Sequence, residues 1–389
     1  MYKIQTLNKI STRGLDLLPR EEYEVASDMR APDAIMVRSQ KMHDMELGED
    51  LKAIARAGAG VNNVPVEKCT EKGVLVFNTP GANANSVKEL VLAGLFLSSR
   101  KIVNGVCWVR ENKDKGDELP ALVEKNKKQF AGPEIMGKRL GVIGLGAIGS
   151  MVANEACALG MEVVGFDPFI SVESAWDLSR DVQRAPGIES LLSSCDYITV
   201  HTPLNDKTRG FFDKDKFSIM KPGIRIMNFA RGGLVDNSAL RDAIDKGIVE
   251  QYVTDFPDAE LAANEKVIPI PHLGASTPEA EENCAIMAAQ QLRDFLENGN
   301  VTNSVNFPTC QMERSGETRL LVANKNIPNM VGQITAVLAE EKINIADFLN
   351  RHKDGIAYNI IDLEKKISDK ALDRIKNIEG IIMVRLIGQ

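Results

Sequence analysis

Residues 139–153 read RLGVIGLGAIGSMVA, and residues 163–167 read VVGFD. This pattern predicts a buried strand, a glycine turn, a helix and a second apolar strand that ends in an acid. Gly144 lets the turn close tightly, Gly146 lets backbone N–H groups approach a pyrophosphate, and Gly149 lets the helix pack against the strand. The helix N-terminus adds unpaired N–H donors and the positive end of its dipole. Because an acid follows about 20 positions later, the stretch predicts a dinucleotide-binding unit.

The acid at the end of the second strand indicates which dinucleotide binds. Asp167 can accept hydrogen bonds from the ribose hydroxyls of an adenosine, and its negative charge repels a 2′-phosphate. The next residue is Pro168, with no Arg beside it to hold such a phosphate. The sequence therefore predicts NAD, rather than NADP, as the cofactor.

The overall composition excludes several classes of protein. A chain of 389 residues exceeds what one hydrophobic core usually supports, so we expect two or three domains. The net charge of −7 argues against a nucleic-acid partner. No apolar run approaches the roughly 18 to 20 residues of a membrane helix, so no membrane partner is expected. Six scattered cysteines without a C-x-x-C pair, and an N-terminus without a signal-like core, predict a cytoplasmic protein with reduced thiols and no metal site.

The chain divides into three predicted regions of the α/β class. Short apolar strands alternate with helical stretches in the first region, which predicts a parallel sheet. The second region matches a doubly wound sheet, with six predicted strands at 139–143, 161–166, 197–201, 224–228, 252–255 and 267–270. The third follows a βαββαβ pattern. The predicted domains are a discontinuous substrate-binding domain at 1–95 and 282–310, a dinucleotide-binding domain at 96–281 and a C-terminal domain at 315–389.

Two local patterns give further predictions. Ser86 and Glu89 precede an apolar run and are spaced as in a capping box, which predicts that a helix begins just after Ser86. Residues 113–128 mix charges of both signs, which predicts a solvated arm or loop.

Candidate catalytic residues follow predicted strands. Arg231 follows the strand 224–228, and its planar guanidinium can hold a carboxylate together with a keto or hydroxyl oxygen. His272 follows the last predicted strand, and an imidazole can take a hydroxyl proton while a hydride leaves the same carbon. An acid is expected to orient His272, and the local candidates are Asp255, Asp258 and Glu260.

Taken together, these motifs resemble the D-isomer-specific 2-hydroxyacid dehydrogenases. The resemblance rests on Val37-Arg38-Ser39, the loop 56–63, Pro80-Gly-Ala-Asn83, the glycine turn, Ala230-Arg-Gly-Gly233, Pro271-His-Leu-Gly-Ala-Ser-Thr277 and the C-terminal region, which is similar to an ACT domain. It implies NAD-dependent oxidation of 3-phosphoglycerate to 3-phosphohydroxypyruvate, the entry into serine synthesis. Two alternatives remain open, namely the same hydride chemistry on another D-2-hydroxy acid and a non-catalytic NAD-sensing scaffold.

The resemblance also implies site residues. The catalytic set is Arg231, Glu260 and His272. The substrate-binding set consists of Arg38, Ser39, Arg56, Ala59, Gly60, Asn83, Arg231 and His272. The cofactor-binding set consists of Gly144, Gly146, Ala147, Ile148, Gly149, Asp167, His201, Thr202, Pro203, Ala230, Asp255, His272 and Gly274.

The sequence departs from the family pattern in the segment that supplies the catalytic acid. Family members usually read Asp-Val-Phe-x-x-Glu-Pro, where this chain reads Asp255-Phe-Pro-Asp-Ala-Glu260. When the two patterns are aligned without a gap, Glu260 matches the catalytic Glu of the family, and Asp255 matches an acid near the nicotinamide. A shifted alignment favours Asp258 instead.

The ACT-like region suggests regulation and assembly. ACT domains of this family commonly bind serine between paired subunits, and Asn329 and Asn344 match polar positions of that effector site. Ile327 stands where a His often helps to bind serine, so the response to serine stays open. Pairing of exposed strand edges predicts a homodimer or homotetramer.

Overall fold

The computed structural model describes residues 1–388 and consists of two compact units. The first is discontinuous in sequence and contains residues 1–83 together with those from 278 onward, while the second contains residues 84–277. Parallel sheets and a C-terminal antiparallel sheet confirm the predicted α/β class. The predicted division into three domains, with its boundaries, remains a prediction.

The first unit begins with a parallel sheet of five strands in the order β2-β1-β3-β4-β5. The strands are β1 Tyr2–Leu7, β2 Tyr23–Ala26, β3 Ala34–Val37, β4 Ala53–Arg56 and β5 Leu75–Phe77, and the helices are α1 Thr12–Leu15 and α2 Val66–Glu71. Every residue of β3 is buried, because helices and loops cover both faces of a central parallel strand. The short strand β2 was not predicted, since it lies at the edge and lacks a continuous apolar run.

The second unit contains a parallel sheet of seven strands in the order β12-β11-β10-β9-β6-β7-β8. The strands are β6 Arg139–Ile143, β7 Glu162–Phe166, β8 Gln183–Arg184, β9 Tyr197–Val200, β10 Ile224–Asn228, β11 Val249–Thr254 and β12 Val267–Pro269. All six predicted strands are present. The prediction missed β8, because two exposed polar residues carry no hydrophobic pattern.

Helices and turns connect these strands. They are α3 Ala84–Ser99, α4 Ile102–Glu111, α5 Leu119–Asn126, α6 Ala147–Ala158, α7 Val172–Trp176, α8 Ile188–Ser194, α9 Lys214–Ser218, α10 Asn237–Asp245 and α11 Ala259–Ala262, with 3-10 turns at Lys113–Glu118, Lys127–Phe130 and Gly232–Leu234. Residues 113–128 are thus mainly helical rather than a loop, although they are solvated as predicted.

The predicted capping box is wrong. Helix α3 already begins at Ala84, so Ser86 lies in its first turn on the buried face. Within residues 1–388 the Ser86 hydroxyl has no hydrogen-bond partner, and Glu89 instead accepts a hydrogen bond from the Asn85 amide at 2.9 Å. The helix therefore begins three residues earlier than the Ser-x-x-Glu pattern indicates.

Among residues 1–388, no single helix combines the length and apolar character needed to cross a membrane. The consecutive helices α3 and α4 meet those criteria only when joined across a bend of 68°.

The C-terminal region continues the first unit. After α12 Pro278–Asn298 come β13 Thr318–Lys325, α13 Met330–Glu340, β14 Ile345–Lys353, β15 Ile356–Leu363, α14 Asp369–Lys376 and β16 Ile381–Ile387. The strands form an antiparallel sheet in the order β14-β15-β13-β16, which confirms the predicted βαββαβ pattern.

Alternating side chains of β13 pack into two hydrophobic clusters, one on each face of the sheet. Leu320 and Val322 pack in one cluster with residues of α13 and α14. Leu321 and Ala323 point to the opposite face and join a cluster that includes residues of α12 and of the five-stranded sheet. The antiparallel sheet is therefore covered on both faces within the first unit.

A buried ion pair connects this sheet to the end of α12. The side chains of Arg319 and Asp362 are 0% and 1% exposed, and the Arg319 guanidinium binds both oxygens of Asp362 at 2.7 and 2.8 Å. Its remaining N–H groups donate to the carbonyls of Asn298, Met312 and Glu313 at 2.8 to 2.9 Å. All five guanidinium donors are thus used. Burial opposes ionisation of Asp362, but hydrogen bonds from Arg319 and Ser315 hold its pKa below the ordinary value.

We expect Arg319→Met and Asp362→Asn each to lower the free energy of unfolding by about 3 to 5 kcal/mol, because either change leaves a buried charge without its partner. Urea unfolding followed by circular dichroism measures the loss. Arg374→Ala, which breaks an exposed pair with Glu340, is the matched control and should lower it by at most about 1 kcal/mol. If Arg374→Ala lowered the free energy of unfolding as much as Arg319→Met or Asp362→Asn does, the explanation from burial would be wrong.

Candidate active site

The predicted cofactor and catalytic residues of the second unit share one edge of its sheet. Because the strands are parallel, their carboxyl ends meet at the same edge, which is where open α/β sheets bind ligands. The residues that follow the strands there are Gly144 after β6, Asp167 after β7, His201 after β9, Arg231 after β10, Asp255 after β11 and His272 after β12.

The three glycines of the turn have different environments. Gly144 has a φ of +88°, and a Cβ there would lie 2.8 Å from the His201 carbonyl oxygen. A Cβ on Gly149 would overlap the Gly144 carbonyl oxygen. A Cβ on Gly146, by contrast, would meet no atom within 4 Å. Gly144 and Gly149 are thus required by the fold, while Gly146 leaves open space in front of the first turn of α6, which contains Ala147 and Ile148.

Asp167 lies beside a cavity of about 400 Å³. One carboxylate oxygen accepts a hydrogen bond from the Leu145 amide and the other from the Phe169 amide, both at 2.8 Å. The cavity is lined mainly by apolar side chains, among them Leu145, Pro168, Ile170, Leu178, Val182 and Ala185. This cavity, in which Gln183 and Arg184 accompany the apolar side chains and one fixed acid, lies next to an open glycine turn and fits the adenosine half of a dinucleotide. NAD, when bound, supplies the nicotinamide ring that accepts a hydride.

His201, Thr202 and Pro203 surround the same turn. The His201 ring lies 2.9 Å from the Thr199 hydroxyl, and burial lowers the pKa of His201 to about 4. His201 is therefore neutral near pH 7 and adds no charge to the cofactor side. The Thr202 methyl group lies close to Gly144, and the Pro203 carbonyl accepts a hydrogen bond from Thr208 at 2.6 Å.

A buried amide fixes the turn that carries Arg231. Asn228, at the end of β10, is 0% exposed, and its side-chain oxygen accepts hydrogen bonds from the amides of Ala230 and Arg231 at 3.2 and 3.3 Å. Its amide nitrogen donates to the Arg231 carbonyl and to the Tyr252 hydroxyl. Arg231 itself is exposed. Asn228 was not predicted as a site residue, although a side-chain amide at the end of an apolar strand was the available signal.

His272 lies in a loop that is tied to β11. Its exposed ring contacts the Phe256 ring, with the centroids 4.7 Å apart. Two residues later, the Gly274 amide donates to the Asp255 carboxylate at 3.2 Å. Burial raises the pKa of Asp255, and the positive charges of His272 and Arg231 oppose that rise. Asp255 is thus close enough to both predicted catalytic side chains for their charges to affect its pKa.

The other two candidate acids have different partners. Glu260 forms an ion pair with Arg241, and its side chain is 56% exposed. Asp258 caps α11 by accepting a hydrogen bond from the Leu261 amide at 2.8 Å, and it also accepts one from Asn237. In the described part of the chain, neither carboxylate forms a hydrogen bond or ion pair with His272. The assignment of Glu260 rests on the resemblance alone.

The predicted substrate residues of the first unit follow neighbouring strands. Arg38 comes after β3, and Arg56 ends β4, where it is paired in register with Val37. The Arg56 Nε donates to the Arg38 carbonyl at 3.0 Å, while the Arg38 guanidinium forms an ion pair with Glu281 of α12 at 2.6 Å. Two cations therefore lie at adjacent strand ends.

The smaller predicted substrate residues lie in loops of the same unit. The Ser39 amide donates to the Asn8 side chain at 3.1 Å, and the Ala59 carbonyl accepts a hydrogen bond from Asn78 at 2.6 Å. Gly60 follows Ala59 in this loop, and Asn83 lies in the turn that precedes α3 in sequence. Their contacts with substrate remain predictions.

The predicted effector residues are both exposed. Asn329 precedes α13 with a left-handed φ of 67°. Asn344 lines an open cavity of about 430 Å³ together with Thr335, Ala339 and Ile343. Serine binding by these residues remains a prediction.

The glycine geometry predicts two different outcomes for two similar substitutions. Gly146→Ala should leave the melting temperature near that of the wild type but weaken NAD binding at least about 10-fold, because the methyl group occupies the approach to the pyrophosphate. Gly149→Ala should lower the melting temperature, since its methyl group meets backbone. Calorimetric titration with NAD and thermal unfolding separate the two effects. Unchanged NAD affinity in folded Gly146→Ala would show that the pyrophosphate lies elsewhere.

Comparison with known proteins identifies the family. Residues 92–274 match the NAD-binding domain of the D-isomer-specific 2-hydroxyacid dehydrogenases. The chain is 33% identical, over 358 residues, to a D-3-phosphoglycerate dehydrogenase of Methanocaldococcus jannaschii, covering 90% of this chain and 65% of the relative. It is 38% identical, over 318 residues, to a D-3-phosphoglycerate dehydrogenase of Rattus norvegicus, covering 79% of this chain and 57% of the relative.

The chain thus spans less than two thirds of the length of either relative. A solved structure, the NAD⁺-bound 3-phosphoglycerate dehydrogenase of Entamoeba histolytica, is 27% identical with a TM-score of 0.61, covering 78% of this chain and 98% of that one. These matches confirm the resemblance and the expected NAD-binding domain. Residues 92–274 thus belong to the NAD-binding domain of the D-isomer-specific 2-hydroxyacid dehydrogenase family.

Proposed function

We propose that this chain oxidises 3-phospho-D-glycerate to 3-phosphohydroxypyruvate with NAD, the first step of L-serine biosynthesis. The observation that carries the proposal is the placement of Arg231 and His272 after β10 and β12, at the same sheet edge as the glycine turn. The relatives named D-3-phosphoglycerate dehydrogenase support the choice of substrate.

The side chains of the second unit supply the proton chemistry. His272 accepts the proton of the substrate hydroxyl while the hydride leaves the same carbon, and it returns the proton in the reverse reaction. Arg231 holds the carboxylate and the C2 oxygen, because its planar guanidinium can donate two parallel hydrogen bonds. The exposed position of both side chains leaves them accessible to a substrate.

The first unit supplies the candidates for recognition of the phosphate. Arg38 and Arg56 lie at adjacent strand ends, and two guanidinium groups can neutralise a phosphate dianion. One observation favours an unphosphorylated substrate instead: Glu281 already forms an ion pair with Arg38. Oxidation of another D-2-hydroxy acid is therefore the second candidate function.

Helix α4 is the candidate subunit contact. None of its residues is buried, and the side chains of Ile102, Val103, Val106 and Val109 are each about 40% exposed. Ile102, Val106 and Val109 line a mainly apolar cavity of about 450 Å³ together with Trp108 and Phe130. An exposed apolar patch of this kind marks a protein contact, so we infer that two copies of the chain associate through α4 as a homodimer.

The function is tested with 3-phosphohydroxypyruvate and NADH, by following the consumption of NADH. We expect turnover, with kcat/KM at least about 10²-fold lower for hydroxypyruvate, because charge-assisted hydrogen bonds to the phosphate contribute about 1.5 to 3 kcal/mol each. His272→Ala should lower kcat at least about 10²-fold while NADH still binds. Equal kcat/KM for the two substrates would reject the phosphorylated one, and NADH binding without turnover of any 2-keto acid would indicate a scaffold.

The subunit contact is tested by sedimentation velocity. Val106→Glu should convert a homodimer to a monomer, because it places a charge in the centre of the apolar patch. Val172→Glu, which changes an exposed valine of α7, should leave the sedimentation coefficient unchanged. A Val106→Glu protein that still sediments as the wild type would place the contact elsewhere, for example at the edge strand β14.

A further inference from the structure

We propose that Glu281 is a specificity-determining residue: its carboxylate occupies Arg38 as an internal anion and must be displaced before Arg38 can bind a phosphate group. The inference rests on the proposed function in one respect, namely that Arg38 and Arg56 receive the phosphate of the substrate. It assigns to Glu281 a role in selecting the charge of the substrate, and it implies that this acid weakens phosphate binding.

The two arginines are held side by side by the sheet. Arg56 ends β4 and is paired in register with Val37, the last residue of β3, so Arg38 follows directly on the neighbouring strand. The Arg56 Nε donates to the Arg38 carbonyl at 3.0 Å. Asn63 donates to the Gln40 carbonyl at 2.8 Å, which fixes the loop just after Arg38. The backbone around Arg38 is therefore well held, so an exchange of partners at Arg38 needs movement of its side chain alone.

Glu281 reaches Arg38 from the first turn of α12. One of its carboxylate oxygens lies 2.6 Å from the Nη1 atom of Arg38. The first turn of a helix favours a negative charge through the helix dipole, so α12 itself stabilises the Glu281 carboxylate at this position. An incoming phosphate must therefore compete with an anion of the chain for the same guanidinium.

The Arg38–Glu281 pair is partly exposed, which makes it exchangeable. The two side chains are 34% and 43% exposed. Solvent screens an ion pair at such a position, and pairs of this kind change an equilibrium constant by about 5-fold at most. The Arg319–Asp362 pair, with side chains 0% and 1% exposed, is closed to any ligand by comparison. Glu281 thus weakens the binding of an anion at Arg38 but does not prevent it.

The charge of the site decides which substituent it favours. Arg38 and Arg56 together carry two positive charges, and Glu281 offsets one of them. A phosphate group brings a charge of about −1.5 to −2 at pH 7, whereas the hydroxyl group that replaces it in hydroxypyruvate brings none. Once displaced, the Glu281 carboxylate also repels the phosphate that has taken its place. Glu281 therefore penalises a phosphorylated substrate and leaves an unphosphorylated one unaffected.

A purely structural role for Glu281 gives a different expectation. An acid in the first turn stabilises a helix whether or not it faces an anion site. With that role alone, removal of the Glu281 charge would lower the melting temperature and leave phosphate binding unchanged. Glu282 is the matched control, because it is the next residue of α12, carries the same charge and forms an ion pair with Arg13 at 3.3 Å.

The deciding test measures the binding of inorganic phosphate to the cofactor-free protein by isothermal titration calorimetry. We expect Glu281→Gln to tighten phosphate binding about 5-fold, because a neutral amide neither holds Arg38 as an ion pair nor repels the anion. Glu281→Ala should give a gain of the same size. Glu282→Gln should change the affinity less than about 2-fold. Arg38→Met should weaken binding at least about 10-fold, which assigns the measured phosphate to this site.

Turnover gives a second readout. Glu281→Gln should raise the ratio of kcat/KM for 3-phosphohydroxypyruvate to that for hydroxypyruvate about 5-fold, through a lower KM for the phosphorylated substrate and an unchanged kcat. Unchanged phosphate affinity in both Glu281 variants, an equal gain in Glu282→Gln, or phosphate binding that survives Arg38→Met would each overturn the inference. The proposed function fails differently. Phosphate binding that tightens in Glu281→Gln, in a protein without turnover of 3-phosphohydroxypyruvate, would support the role of Glu281 and reject that substrate.

Discussion

The parallel alignment of β6, β9, β10, β11 and β12 is the constraint on which the candidate site depends. Parallel strands deliver every following loop to the same edge, so residues more than 100 positions apart in sequence lie along it. The glycine turn after β6 fixes one end of this edge, because Gly144 and Gly149 allow backbone contacts that a side chain would block. Arg231, Asp255 and His272 follow consecutive strands at the other end. The fold thus separates the glycine turn from the candidate proton-transfer residues along one sheet.

Two buried carboxylates in this chain, those of Asp362 and Asp255, differ in their hydrogen bonding. Asp362 is paired with Arg319, whose donors are all satisfied, and the pair connects the C-terminal sheet to the end of α12. Asp255 is equally buried but leaves one oxygen without a partner within residues 1–388. A fully satisfied network makes the local structure rigid, whereas a buried carboxylate oxygen without a partner is energetically costly. The two acids are thus equally buried but differ in how far their hydrogen bonds are satisfied.

Much of the fold was predictable from positions whose surroundings allow only a few residue types. Central strands such as β3 are buried on both faces, so they must be apolar, and Gly144 and Gly149 of the turn are required by close backbone contacts. The errors fall where the local signal is weak. Strand β8 has two polar residues, and Ser86 is buried inside a helix that begins at Ala84. Asn228 was overlooked because its importance comes from a turn that only the folded chain creates.

The acid beside His272 was the least predictable part of the site, and the reason is geometric. In an alignment without gaps, the catalytic Glu of the family is located by its distance in sequence from Asp255, and the residue at that distance is Glu260. The structure forms α11 in this segment, with Asp258 as its cap, and the first turn of that helix directs Glu260 to Arg241 on α10. Asp255 precedes the helix and stays fixed at the end of β11, whatever the following loop does. An acid held by the sheet keeps its distance to neighbouring strands, whereas an acid in a variable loop does not. In this chain the sheet therefore fixes the position of Asp255, whereas the turn of α11 fixes that of Glu260.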